Sequence, residues 1–122
     1  SSARVARATV DDIARLGIVS ARARTLIALA AADASGTLGL DGAGAGTPDA
    51  AIARLCALPG IGPWTAHYIA MRALRWPDAF PKEDVVLRQR LGGVSGLDAE
   101  ALSQAWRPWR SYAVMHLWQG VA

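Results

Sequence analysis

The sequence predicts an all-α fold, a helical bundle of about seven short helices. Apolar residues recur three and four positions apart, in segments bounded by capping residues and by Pro or Gly. No segment alternates β-branched and polar residues as a half-buried strand does, so a sheet is not expected. Hydrophobic residues make up 52% of the 122 and charged residues 19%, enough apolar material for a buried core.

Thr9 is placed to cap a first helix whose opening turn holds Asp11 and Asp12, where acids suit the positive end of the helix dipole. Ile13 and Leu16 are expected to face inward, and Gly17 to end the helix. Ser20 can cap a second helix over 21–34, with Leu26, Ile27, Leu29 and Ala30 as its apolar face. The Gly-, Ala- and Ser-rich stretch 35–46 reads as a flexible loop. Thr47-Pro48 opens a third helix that carries Ile52, Leu55 and Cys56 inward. After the break at Pro59-Gly60-Ile61-Gly62, Pro63 starts a fourth helix running to about Leu74. A fifth is expected over 83–91, stopped by Gly92-Gly93, and two more over 98–105 and 109–118, separated by Pro108.

Composition excludes several classes. The apolar stretches are too short and interrupted to span a bilayer. A single cysteine, Cys56, forms no internal disulfide and no Cys-rich zinc or iron–sulfur site, and reads as a small core residue. Arg4 and Arg7 are not followed by a long apolar run, so no signal peptide is read. A start at Ser-Ser without Met reads as a processed, tagged or cut chain. The net charge of +3 permits an anionic partner without demanding one. Lys82 is the only lysine; the arginine excess suits phosphate, although a GC-rich coding bias is the simpler cause.

Leu58-Pro59-Gly60-Ile61-Gly62-Pro63-Trp64-Thr65-Ala66 is the informative segment. Two glycines flanking one apolar residue allow a tight turn and a close approach of backbone to a ligand. Unpaired N–H groups of such a turn and of the next helix's first turn form a natural phosphate site. An ordinary helix–helix turn is the plainer reading of G-x-G alone. Twenty positions after Trp64 comes Asp84, with Glu83 as a neighbouring candidate acid. Either acid also suits the first turn of a helix.

The longer string L-P-G-I-G-x-x-T-A, followed by an acid at that spacing, resembles the helix-hairpin-helix signature of DNA repair glycosylases. The segment P-G-I-G-x-W-T-A-x-Y narrows the similarity to the 3-methyladenine-DNA glycosylase II family. Trp106-Arg107-Pro108-Trp109-Arg110-Ser111-Tyr112-Ala113 and His116-Leu117-Trp118 fit it too. The similarity spans about Thr9 to Trp118, with 35–46 matching poorly. It implies Asp84 as the catalytic acid and Trp64, Tyr68 and Trp118 as a pocket for a flipped base. Gly60, Ile61, Gly62 and Thr65 would bind the DNA backbone. No cofactor is implied and no side-chain metal site, only a cation held by backbone at Leu58 and Ile61. Superfamily members that cut the DNA backbone place a Schiff-base lysine where this chain has Trp64, so the resemblance implies a monofunctional enzyme. Its partner would be double-stranded DNA containing alkylated bases such as 3-methyladenine, and its setting the bacterial cytoplasm and nucleoid.

Core packing remains the default for Trp106 and Trp109, while Trp76, His67 and His116 are left without a role. Family members are longer, so the chain reads as the C-terminal portion of such an enzyme, one that can fold loosely, expose apolar surface or self-associate. The alternative is a non-catalytic helix-hairpin-helix fragment that binds DNA; Gly60 and Gly62 serve both readings, whereas Asp84 with its aromatic neighbours is expected only for the enzyme.

Overall fold

The computed structural model describes residues 1–40 and 46–120. Among these residues there are eight α-helices, one short 3-10 turn and no strand. Residues 41–45, in the middle of the expected loop, lie outside the described residues. The chain divides into two compact units, Ser1–Gly62 and Pro63–Ala122.

The first unit holds α1 (Ser2–Ala6), α2 (Val10–Ala14), α3 (Ser20–Ala34) and α4 (Pro48–Cys56). Thr9 caps α2 reciprocally: its hydroxyl accepts the Asp12 N–H at 3.1 Å, and the Asp12 carboxylate accepts the Thr9 N–H at 3.0 Å. Thr47 caps α4 with Pro48 at its first position, as the sequence predicts. The long helix α3 packs against α1 and α2, and its buried residues are the small Ala23 and Ala30. Ala51 and Leu55, one turn apart, form the buried stripe of α4. In the described part of the 35–46 stretch, Leu38 is buried and the Thr37 hydroxyl donates to the Ala32 carbonyl at 2.9 Å.

Four expectations for this unit are corrected. Leu26, expected on the apolar face of α3, is 40% exposed, because the buried stripe of that helix runs through Ala23 and Ala30 instead. Leu16 is 75% exposed, because α2 has only five residues and Leu16 lies beyond its end. Cys56 is exposed, because it follows Leu55 and so points about 100° away from the buried stripe. Ser20 is the first residue of α3 rather than its cap; the capping position is Val19, with no side-chain bond.

The second unit comprises α5 (Pro63–Arg72), α6 (Val85–Arg90), α7 (Gly96–Ser103), the 3-10 turn Gln104–Trp106 and α8 (Arg110–Trp118). Its core is built on Ala66, Ala70, Phe80, Leu87 and Val114, and α6 packs on α8. Trp106 is half-buried with its ring centroid 6.4 Å from that of Phe80. Trp109 corrects the core default. It is 58% exposed because it stands at the capping position of α8, outside the helix's buried face, and it pairs with exposed Tyr112.

Candidate functional site

Asp84 is the N-cap of α6, not a first-turn residue. Its Oδ1 accepts the Leu87 N–H at 2.7 Å, which satisfies one of the orphan donors at the helix start. Two further donors converge on the same carboxylate. The Trp64 indole N–H donates to Oδ2 at 2.6 Å, and the Trp118 indole N–H to Oδ1 at 3.0 Å. Three N–H groups thus hold a carboxylate that is only 8% exposed. Oδ2 takes one of these donors and Oδ1 takes two, so Oδ2 keeps the greater capacity to accept from a substrate or water.

Aromatic surface surrounds this acid. Trp64 and Tyr68 lie one turn apart on α5 and stack with centroids 5.3 Å apart and planes 13° from parallel. The Trp118 ring, from α8, is 6.1 Å from Tyr68 and tilted by 37°. The Arg72 guanidinium, one further turn along α5, sits 5.6 Å over the Tyr68 ring. Trp64 remains 40% exposed, so part of its ring is open to a planar ligand. A cavity of about 190 Å³ is lined by Trp64 with His67, Phe80, Lys82 and Glu83 among others. Glu83, in the lining of that cavity, makes none of the hydrogen bonds to the indoles. Its carboxylate occupies the space a side chain at Gly96 would fill, 2.0 Å from an ideal Cβ, and pairs with Arg88 at 3.5 Å.

In the first unit, residues 58–61 form a β-turn closed by the Ile61 N–H donating to the Leu58 carbonyl at 3.2 Å. Pro59 at its second position and Gly60 at its third, with φ +86°, are the signature of a type II turn. The Thr25 hydroxyl, from α3, lies within reach of both the Pro59 carbonyl at 3.0 Å and the Ala21 carbonyl at 3.1 Å. An ideal Cβ on Gly60 would fall 2.1 Å from that hydroxyl, whereas a Cβ on Gly62 meets nothing within 4 Å. Arg22 and Arg24 line an open depression beside Thr25, Pro59 and Gly60. Ile61 is buried; Thr65, on α5 of the second unit, is half-buried. The Leu58 carbonyl, already taking one hydrogen bond, has one lone pair left for a cation, and backbone oxygen suits a hard one. Among the described residues no group of three or more His, Cys, Asp or Glu side chains gathers to hold a metal.

The structure therefore brings Asp84, Trp64, Tyr68 and Trp118 together, while the turn residues belong to the other unit. Thr25 was missed by sequence reasoning, since its partner stands 34 residues away and nothing local marks it.

No protein-family model matches the chain. Curated relatives do. The chain is 49% identical over 112 residues to the "Probable bifunctional transcriptional activator/DNA repair enzyme AlkA" of Mycobacterium tuberculosis strain H37Rv, covering 88% of this chain and 22% of that protein. It is 37% identical over 115 residues to "DNA-3-methyladenine glycosylase 2" of Escherichia coli K12, covering 94% and 40%. It is 33% identical over 123 residues to the "DNA-3-methyladenine glycosylase" of Bacillus subtilis 168, covering 95% and 41%. The chain thus spans between about a fifth and two fifths of the length of the curated relatives it matches.

Proposed function

Because the chain belongs, over the region shared with these relatives, to the 3-methyladenine-DNA glycosylase II family, we propose that it carries the base-excising centre of a monofunctional DNA glycosylase for alkylated purines. The observation that supports this most is the Asp84 carboxylate, held by two indole N–H groups and a helix cap beside a stack of aromatic rings.

Base excision requires the damaged nucleotide to leave the stack and enter a pocket. The open part of Trp64, backed by Tyr68, offers a planar platform for it. Methylation at N3 or N7 makes a purine cationic, and aromatic faces favour such a cation by roughly 0.5–2 kcal/mol. The glycosidic C–N bond then breaks with its electron pair leaving on the base, which neutralises the base's charge. The sugar is left as an oxocarbenium ion. Asp84 opposes that positive charge at a fixed position, without needing to reorient when it develops. Water adds to the sugar carbon and releases its proton to bulk solvent, and Oδ2 has the free capacity to orient that water. One acid suffices where the leaving group is already charged; glycoside hydrolases acting on neutral sugars need two.

The turn at 58–62, with Arg22 and Arg24 beside it, suits a DNA phosphate, and a cation on the Leu58 and Ile61 carbonyls would strengthen that contact. Trp64 occupies the position where lyase members carry a nucleophilic amine, so no Schiff base forms there.

The test is chromatography of duplex DNA treated with a methylating agent. Free methylated purines should be released, with strand breaks only after alkali and no protein–DNA adduct on borohydride treatment. Absence of free base would overturn the reading of this chain as a glycosylase; a borohydride-trapped adduct would overturn the monofunctional part.

A further inference from the structure

Arg110 and Asp78 form an ion pair that the base-release chemistry does not touch. Asp78 is 6% exposed and Arg110 4%. Asp78 Oδ1 accepts the Arg110 Nε–H at 3.0 Å and its backbone N–H at 3.3 Å. The Arg110 Nη2 group donates to the Asp78 carbonyl at 3.0 Å, while Nη1 lies 3.3 Å from both Glu100 and Ser103. Asp78 Oδ2 takes Arg107 at 2.6 Å, and the Arg110 guanidinium covers the buried Phe80 ring at 5.5 Å. The next residue continues the clamp. The Ser111 N–H donates to the Pro77 carbonyl at 2.8 Å, and its hydroxyl lies within reach of the Trp76 and Ala79 carbonyls.

These contacts fix one end of α8. Its capping residue, Trp109, supplies no side-chain bond, so Asp78 takes over that task from a distant part of the chain. Trp118 stands at the other end, eight residues or about 12 Å along the helix. There it donates to Asp84, six positions after Asp78 in the segment that Arg110 and Ser111 grip. The helix is a strut whose two ends are tied to the two ends of one segment.

Stability alone is a poor reason for such a pair, because an apolar replacement of a buried ion pair is often as stable. Direction is what it supplies. The planar guanidinium engages a carboxylate, a carbonyl and a hydroxyl at once, which an ammonium cannot reproduce. A slide of α8 by about 1 Å would stretch the Trp118–Asp84 bond out of hydrogen-bonding range. We propose that Arg110, clamped by Asp78, is a positioning residue that sets the Trp118 indole on the Asp84 carboxylate. The proposal rests on the reading of Asp84 as the acid of base release, but the contact it concerns can be followed without activity.

The experiment is Arg110→Lys in this chain, with Asp78→Asn carrying the same test should the first variant not fold. The indole N–H resonances of Trp64 and Trp118 are assigned by Trp64→Phe and Trp118→Phe. The expected result is a Trp118 resonance that moves upfield and exchanges faster, with far-ultraviolet circular dichroism unchanged. Single-turnover base release should slow by about tenfold to a hundredfold while duplex affinity stays within about threefold. An unmoved Trp118 resonance would overturn the proposal, as would a uniform change in all five indole signals, the mark of a merely structural pair. A moved Trp118 resonance in a chain that releases no base even as the parent would uphold the positioning role and count against the functional reading instead.

Discussion

Gly60→Ala, inside the turn at 58–61, and Gly62→Ala, just after it, should behave oppositely. At Gly60 the backbone has φ +86°, which costs a residue with a Cβ roughly 1–2 kcal/mol. The added carbon would also stand 2.1 Å from the Thr25 hydroxyl, and forcing it aside adds about 1–3 kcal/mol of overpacking. The lower entropy of the unfolded alanine chain returns roughly 0.4–1 kcal/mol. The net loss is about 1–5 kcal/mol, or a melting temperature lower by on the order of 10 °C for a domain of this size. Gly62 has no such φ and no neighbour within 4 Å, so Gly62→Ala should be neutral or stabilising by up to about 1 kcal/mol. Thr25→Ala combined with Gly60→Ala should recover the overpacking part but not the backbone part, giving a coupling of about 1–3 kcal/mol. Urea unfolding followed by circular dichroism measures the parent, the three variants and the Thr25→Ala single that completes the cycle. Gly60→Ala within about 0.5 kcal/mol of the parent, or Gly62→Ala as costly as Gly60→Ala, would contradict a strained, crowded Gly60 beside an open Gly62.

The same Gly62→Ala variant should bind duplex DNA more weakly despite its stability, since the protein itself leaves the space at Gly62 empty; unchanged affinity would contradict a backbone approach there. Duplex binding by the parent should fall steeply with salt, read as the slope of log affinity against log salt, and a flat slope would exclude phosphate contacts. Trp118→Phe keeps the ring but deletes one of three donors to Asp84, so base release in single-turnover kinetics should slow by about tenfold to a hundredfold, the worth of a hydrogen bond to a charged group. Asp12 is held below the ordinary carboxylate range, first by the Thr9 N–H and then by its hydroxyl. Its contribution is therefore present above the unfolded-state pKa and lost as pH falls through the lower folded-state value. In Thr9→Ala, which removes the hydroxyl but keeps the backbone N–H, an NMR titration should show the Asp12 pKa moving only part of the way up towards its ordinary value.

Local chemistry was legible in the sequence, and long-range chemistry was not. Thr9, Thr47-Pro48 and the turn at 59–60 act through neighbours one to three residues away, and their types announce their roles. The grouping of Asp84 with Trp64, Tyr68 and Trp118 came from resemblance, because 20 and 34 residues separate the acid from its indole partners and no periodicity links them. Thr25, Asp78 and Arg110 escaped notice for the same reason: each is an unremarked polar residue until folding supplies a partner 32 or 34 positions away. Leu16, Cys56 and Trp109 were expected inside because they are apolar. Their exposure follows from where short helices start and stop, and a shift of one residue turns a side chain by about 100°.

The central claim is that the Asp84 carboxylate does the work of base release, and Asp84→Asn addresses it most directly. Asparagine remains a good N-cap, so α6 should persist, although its amide cannot accept from all three N–H donors. Base release from methylated duplex DNA and duplex affinity should be measured on parent and variant together. The parent should release base, the variant none above background, and the two affinities should lie within about threefold of each other, since the acid acts only as charge develops on the sugar. Release by Asp84→Asn at the parent's rate would contradict the claim.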